Sequence, residues 1–191
     1  MKEFTPIMLH EMRAEFVSYL ERLLLTPYTW GGDDPEQGFD CSGVMNEALQ
    51  AVGLTGHKSD YTADGLMRLF LGKVVAAPDG IKAGCLVFYL KGGKDAGHAV
   101  AVHVEAFVNG WQIIGAIGGD RPGTTVEEIR ATYPRMADFP RFIVQKWIDE
   151  WEAARRGAFV KKRPFGYRPG PFVVVDPFMP ARVEAGEQNG G

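Results

Sequence analysis

Tyr28-Thr-Trp-Gly-Gly-Asp-Asp-Pro-Glu-Gln-Gly-Phe-Asp-Cys-Ser-Gly43 joins a loop to the start of a helix, and its last residues decide how the chain is read. Gly31, Gly32, Asp33, Asp34, Pro35 and Gly38 mark residues 28–39 as turn-rich. From Asp40 or Cys41 the pattern becomes helical, because Cys41, Val44, Met45, Ala48 and Val52 fall on one stripe that Gly53 closes. A cysteine in the first turn of such a helix meets unpaired N–H groups and the positive end of the helix dipole. Both favour a thiolate, which predicts a lowered pKa for Cys41. Position alone also admits a buried structural cysteine, the commoner fate beside apolar residues.

Working outward, Ile7, Met12, Phe16, Leu20, Leu23 and Leu24 predict an amphipathic helix from about Pro6 to Leu25, ended by Pro27. After the Cys41 helix comes a short helix near Thr62 to Leu71. The period then changes to that of strands, at Leu86 to Leu90 and Ala99 to Val108. Asn109-Gly110 predicts a tight hairpin, with Trp111 to Ala116 returning. From Thr124 the pattern is helical again, with Thr125 and Glu128 placed as a capping box. A further amphipathic segment, Ala137 to Arg156, presents Phe142, Ile143, Lys146, Trp147 and Trp151 before Gly157. Phe172 to Val175 reads as a strand leading to Asp176-Pro177-Phe178 and a Gly-rich end expected to be disordered. Helices followed by a sheet indicate an α+β fold.

The chain has 191 residues, of which 46% are hydrophobic, enough for one substantial core, so residues 1–191 read as a single domain. The net charge of -3, with one loose basic cluster at Arg155, Arg156, Lys161, Lys162 and Arg163, argues against nucleic acid as a partner. No apolar run is long enough for membrane insertion, and the first residues lack the pattern of a signal peptide. Cys41 and Cys85 read as separate thiols, and the four histidines show no paired ligand spacing, so no metal is expected.

The segment from Tyr28 to Gly43 closely resembles the signature of the NlpC/P60 papain-like cysteine peptidases. In these, an aromatic-x-x-Gly-Gly stretch leads through a loop into an Asp-Cys-Ser-Gly helix start. The resemblance implies a papain-like fold, with N-terminal helices packed on a central antiparallel sheet. It implies Cys41 as nucleophile, Tyr28 as a hydroxyl near the oxyanion or thiolate, and Asp40 and Ser42 as groups that shape the site and the substrate amine pocket. Tyr28 reads equally well as a core aromatic with a satisfied hydroxyl.

A thiol nucleophile needs a base that later protonates the leaving amine. His98 and His103 lie five positions apart on one predicted strand, so they face opposite ways in regular geometry. The His103 face carries Ala99, Ala101, Glu105 and Phe107, and its small alanines leave room for a helix tip; a bulge would reverse this parity. The family's His-Val-Gly-Ile-Tyr strand, turn and next strand can be laid without gaps over His103 to Ala116, which points to His103 as the base. His10, His57 and His98 read as histidines without a catalytic duty.

The sequence departs from the family at the third catalytic position. That position falls at Gly115 in Ile113-Ile-Gly-Ala116, and glycine cannot orient an imidazole. Glu105, Asp120, Gln112 or a backbone carbonyl are candidate substitutes, each carboxylate also reading as simply exposed. Cys85 stands where the family has aspartate in Gly-Asp-Leu-Val-Phe and reads as a small buried residue.

The resemblance covers about residues 20–120, leaving about 121–191 as a helical or extended C-terminal extension. The Ile-Gly-Ala-x-Gly-Gly segment, Phe159-Val-Lys-Lys-Arg-Pro164 and Asp176-Pro177-Phe178 look like family members encoded by tailed phages and prophages. The resemblance therefore implies a peptidoglycan stem-peptide endopeptidase without a cofactor. It would be carried in a phage tail tip or baseplate, acting in the periplasm or cell wall, or be cytoplasmic before assembly. Two other readings stay open: a structural tail or baseplate assembly protein on a weakened scaffold, and acyl or amide transfer on a small molecule.

Overall fold

The computed structural model describes residues 4–92, 99–117, 160–165 and 171–180. In chain order the elements are α1 (Pro6–Arg22), β1 (Asp33–Asp34), β2 (Gly38–Phe39), α2 (Cys41–Ala51), α3 (Ala63–Phe70), β3 (Leu86–Lys91), β4 (Val100–Phe107), β5 (Gln112–Ala116), β6 (Val160–Pro164) and β7 (Phe172–Val175). Strands β3 to β7 form one sheet in the order β6-β5-β4-β3-β7, each neighbouring pair antiparallel. The fold is α+β, as the order of periodicities predicts. Two strands from the region read as a C-terminal extension supply both edges of this sheet. The helices expected between Thr124 and Arg156, with Thr125, Glu128, Phe142, Ile143, Lys146, Trp147 and Trp151, lie outside the described residues, as do His98, Asp120 and the Gly-rich end.

The three α-helices among the described residues start where the sequence offers a cap. Thr5 accepts the Met8 amide at α1, Asp40 the Ser42 and Gly43 amides at α2, and Thr62 the Gly65 amide at α3. Helix α1 buries Leu9, Phe16 and Leu20, while Ile7 is exposed. It stops at Arg22, short of the predicted Leu25, because the chain there is committed to β6. The Leu25 amide donates to the Val160 carbonyl (3.1 Å) and the Val160 amide to the Thr26 carbonyl (3.0 Å). The β4–β5 turn also differs from a two-residue hairpin. The Val108 amide bonds the Gln112 carbonyl (2.9 Å), and Asn109 Oδ1 closes the loop by accepting from the Trp111 and Gln112 amides. Trp111 is therefore in the turn, not the strand.

Both faces of the sheet are covered. On one, Phe88, Ala101, Val104, Ala106, Ile114 and Val175 pack beneath Phe16, Leu20, Val44, Met45, Leu49 and Leu66 of the helices. On the other, Cys85, Val87, Phe107, Ile113 and Val174 gather with Tyr89, Phe165 and Phe172. Cys85 is fully buried there, and burial raises the pKa of its thiol.

The pairing of β3 with β4 slips by one residue. Tyr89 faces His103 but Leu90 faces Ala101, leaving Val102 as the extra residue of a bulge. This corrects the predicted parity. Ala101 belongs with Val104 and Ala106 on the helix side, not with Glu105 and Phe107. The Ala101 amide at the bulge donates to Asp64 Oδ1 of α3 (3.1 Å), which ties the slipped strand to a helix. Hydrogen bonding from Arg68 is the chief cause that holds the Asp64 carboxyl below its ordinary pKa.

At the far end of the sheet, fully buried Asp176 accepts two bonds from Arg13 of α1 (2.7 and 2.9 Å) and one from the Phe178 amide (3.1 Å). Lys82 Nζ stands 3.2 Å from its other side. Arg13 also donates to the Ala83 carbonyl (2.7 Å) and lies over the Phe178 ring. The Asp-Pro-Phe sequence thus works as a buried clamp between α1 and the two strand ends.

Candidate active site

The tip of α2 is built by the glycines and the Asp-Cys-Ser run of residues 31–43. A Cβ on Gly43 would collide with the Gly32 carbonyl oxygen, and a Cβ on Gly32 with the Gly38 carbonyl oxygen. The Gly32 carbonyl also accepts the Asp40 amide (2.9 Å). Glycine at both positions is therefore a condition for laying the loop directly against the helix. Asp40 fixes the junction: Oδ1 accepts the Ser42 amide (2.9 Å), the Gly43 amide (2.7 Å) and the Ser42 hydroxyl (2.9 Å), and Oδ2 accepts the Gly31 amide (3.2 Å). Asp40 and Ser42 do line the cleft, but their hydrogen bonding runs inward.

The cleft has a volume of about 400 Å³ and is lined by Tyr28, Trp30, Asp40, Cys41, Ser42, Thr62, Ala63, Ala101, Val102, His103, Ala116 and Ile117. It holds Cys41 and His103 together, the pair chosen from the sequence. A regular strand would offer it alternate residues only. Because of the bulge, three successive residues of β4 line it. Tyr28 packs against the core and also lines the cleft.

Cys41 is half-buried, and burial pushes its thiol up to about 11. The amide of Val104, next to His103, acts in the opposite direction; the Asp40 carboxylate raises the pKa further, and the amides of Ser42 and Cys41 lower it. This reverses the predicted lowering: the helix tip is present, but loss of hydration outweighs it. Burial thus favours the thiol over the thiolate, and a thiol needs a base to take its proton before it can act as a nucleophile.

His103 sits with Nε2 3.8 Å from Glu105 Oε2 and its ring 5.6 Å from that of Tyr89. Glu105 is fully buried, not exposed, and Arg163 of β6 grips both of its oxygens (2.7 and 3.3 Å). Gly115 lies beneath it: a Cβ there would stand 2.7 Å from Glu105 Cγ. Gln112 is engaged elsewhere, accepting from Asn109 at the hairpin (2.8 Å). Asp120 and His98 fall outside the described residues. Sequence reasoning missed Arg163, which had been read only as part of a basic cluster and comes from a strand 58 residues beyond Glu105. It also missed Trp30, two-thirds exposed at the rim, although that residue stands inside the quoted signature.

An α+β domain that presents a thiol at a helix tip and an imidazole from the adjoining sheet in one cleft has the layout of a thiol hydrolase. The sequence model of the NlpC/P60 family matches residues 25–133, more than half of the chain, which belongs to that family. The chain is 29% identical over 152 residues to the probable endopeptidase YafL of Escherichia coli, covering 78% of this chain and 51% of YafL. It is 35% identical over 82 residues to the bifunctional muramidase/DL-endopeptidase CwlT of Bacillus subtilis, covering 43% of this chain and 22% of CwlT. It thus spans about half the length of one relative and under a quarter of the other. Among solved structures, the NlpC/p60 domain of the peptidoglycan hydrolase SagA superposes with a TM-score of 0.50 at 23% identity, over 85% of this chain and 97% of that one. The peptidoglycan hydrolase RipB of Mycobacterium tuberculosis gives 0.54 at 17% identity, over 90% and 67%. At these identities the superpositions establish a common fold.

Proposed function

We propose that the chain is a cysteine peptidase that hydrolyses an amide in the stem peptide of peptidoglycan, with Cys41 as nucleophile and His103 as base. The observation that carries this reading is that Cys41 and His103 line one cleft in a family whose relatives include named endopeptidases. His103 takes the thiol proton as Cys41 Sγ attacks the carbonyl, and gives it to the departing amine as the C–N bond breaks, leaving a thioester. Water, deprotonated by the same imidazole, then cleaves the thioester to a carboxylate and restores the thiol. Asp40 takes up the Ser42 and Gly43 amides, so the oxyanion role passes to the Cys41 amide and Tyr28.

The test is mass spectrometry of products from defined muropeptides. One cleaved stem-peptide amide, with water added across it, is expected. Intact muropeptides alongside a turned-over small amide would move the protein to acyl or amide transfer instead.

Carriage in a phage tail tip or baseplate is a finer part of the proposal, supported by the likeness of Ile114 to Gly119 and of the two C-terminal segments to phage-encoded members. Its check is whether the chain is present in purified tail particles. A second reading, a tail assembly protein on a weakened peptidase scaffold, is favoured by the burial of Cys41, which raises the pKa of its thiol. Absence of Cys41-dependent turnover on any muropeptide would leave that reading standing.

A further inference from the structure

We propose that Glu105, clamped by Arg163 and seated in the space that a side chain at residue 115 would fill, is the positioning residue that orients the His103 imidazole. The inference rests on the Cys41–His103 reading and says how this chain works without a side chain at residue 115.

Three observations converge on it. Glu105 is fully buried on the face of β4 that also carries Phe107, and its Oε2 approaches Nε2 of His103. The space beside it is open only because residue 115 is glycine, since a Cβ there would come within 2.7 Å of Glu105 Cγ. Arg163, paired with Ile113 across β5 and β6, holds both carboxylate oxygens. A buried carboxylate survives only with such compensation, and a two-pronged guanidinium fixes its plane as well as its charge. The orienting group has thus moved one strand over, from β5 to β4, with a β6 arginine as its anchor.

The consequence for the imidazole is specific. With Nε2 turned toward the carboxylate, Nδ1 is the ring nitrogen that exchanges the proton with Cys41. At 3.8 Å the contact is longer than a hydrogen bond. It shortens as the imidazolium forms, when opposite charges face each other. Among the described residues, the other ionisable groups that line its cleft or stack on its ring are Cys41 of α2, Asp40 at the cap of α2, Tyr28 of the preceding loop and Tyr89 of β3. Of these, only Asp40 is a further carboxylate, and its oxygens are held by the helix tip.

The experiment compares the full chain with Glu105→Gln on a muropeptide that the wild type cleaves. Gln keeps the size and an oxygen for Arg163 but loses the charge. Expected is a fall in kcat of about 10²-fold with KM little changed. The acid limb of kcat/KM should move to lower pH by about one unit, since a neighbouring carboxylate favours the imidazolium and its loss makes the base easier to deprotonate. A purely structural glutamate would lower the amount of folded enzyme without moving that limb. Should Glu105→Gln not fold, the pair Glu105→Ala with Gly115→Asn supplies the second test. It returns a polar side chain to residue 115 and is expected to regain at least about tenfold in kcat over Glu105→Ala alone. An unmoved acid limb with wild-type kcat in folded Glu105→Gln, or no rescue by the pair, overturns the inference and leaves the Cys41–His103 reading intact. Wild-type protein without Cys41-dependent turnover removes that reading, and this inference with it.

Discussion

Replacing Cys41 with Ala is expected to reduce muropeptide cleavage by roughly 10³-fold or more, while leaving the folding transition within about 1 kcal/mol of wild type. The loss is large because the cleft holds no second thiol, Cys85 being buried elsewhere, and cleavage without the thioester must wait for water unaided. The fold is indifferent because the α2 cap is made by Asp40, not Cys41, and alanine favours a helix. Activity within about tenfold of wild type in the folded variant, measured on the same substrate, would show that Cys41 is not the nucleophile.

Asp176→Ala should have the largest effect on stability. The carboxylate is fully buried and accepts two bonds from Arg13, itself nearly buried, with Lys82 on its other side. Removing it leaves the guanidinium without its carboxylate partner, though still bonded to the Ala83 carbonyl, and frees the Phe178 amide. Breaking a buried ion pair from one side costs about 3–5 kcal/mol. That lowers Tm by roughly 10 °C in a domain of this size, measured by calorimetry or circular dichroism. Arg13→Met combined with Asp176→Leu should recover much of the loss, because the cost lies in the orphaned charge. A Tm for Asp176→Ala within about 2 °C of wild type would mean that the clamp contributes little.

The legible parts of the chain were those written locally. The turn-rich stretch of residues 28–39 and a helix starting at Asp40 or Cys41 are both written within one short segment, and the structure has that helix begin at Cys41 with Asp40 as its cap. The strands of the sheet were likewise readable where β-branched residues run together. What escaped was set by partners distant in sequence. Helix α1 ends early because Leu25 and Thr26 bond to Val160, and no local signal at Pro27 announces that. The bulge at Val102 comes from the slip of β4 against β3, which overrode an argument from alternation. The thiol of Cys41 was misjudged for the same reason: the helix tip is local, but the burial that raises its pKa is tertiary. Glu105 was a candidate only because it shares a strand with His103, and its burial, its anchor Arg163 and the fit over Gly115 appear only once β4, β5 and β6 are side by side.

The central claim is that the His103 imidazole serves the Cys41 thiol, and alkylation of Cys41 as a function of pH tests it most directly. Wild type and His103→Ala would be treated with iodoacetamide and the label on Cys41 read by peptide mass mapping, which separates it from buried Cys85. Wild type should react at neutral pH at least about tenfold faster than the variant, because the imidazole takes the thiol proton that burial otherwise retains. Superimposable pH profiles for the two proteins would contradict the account.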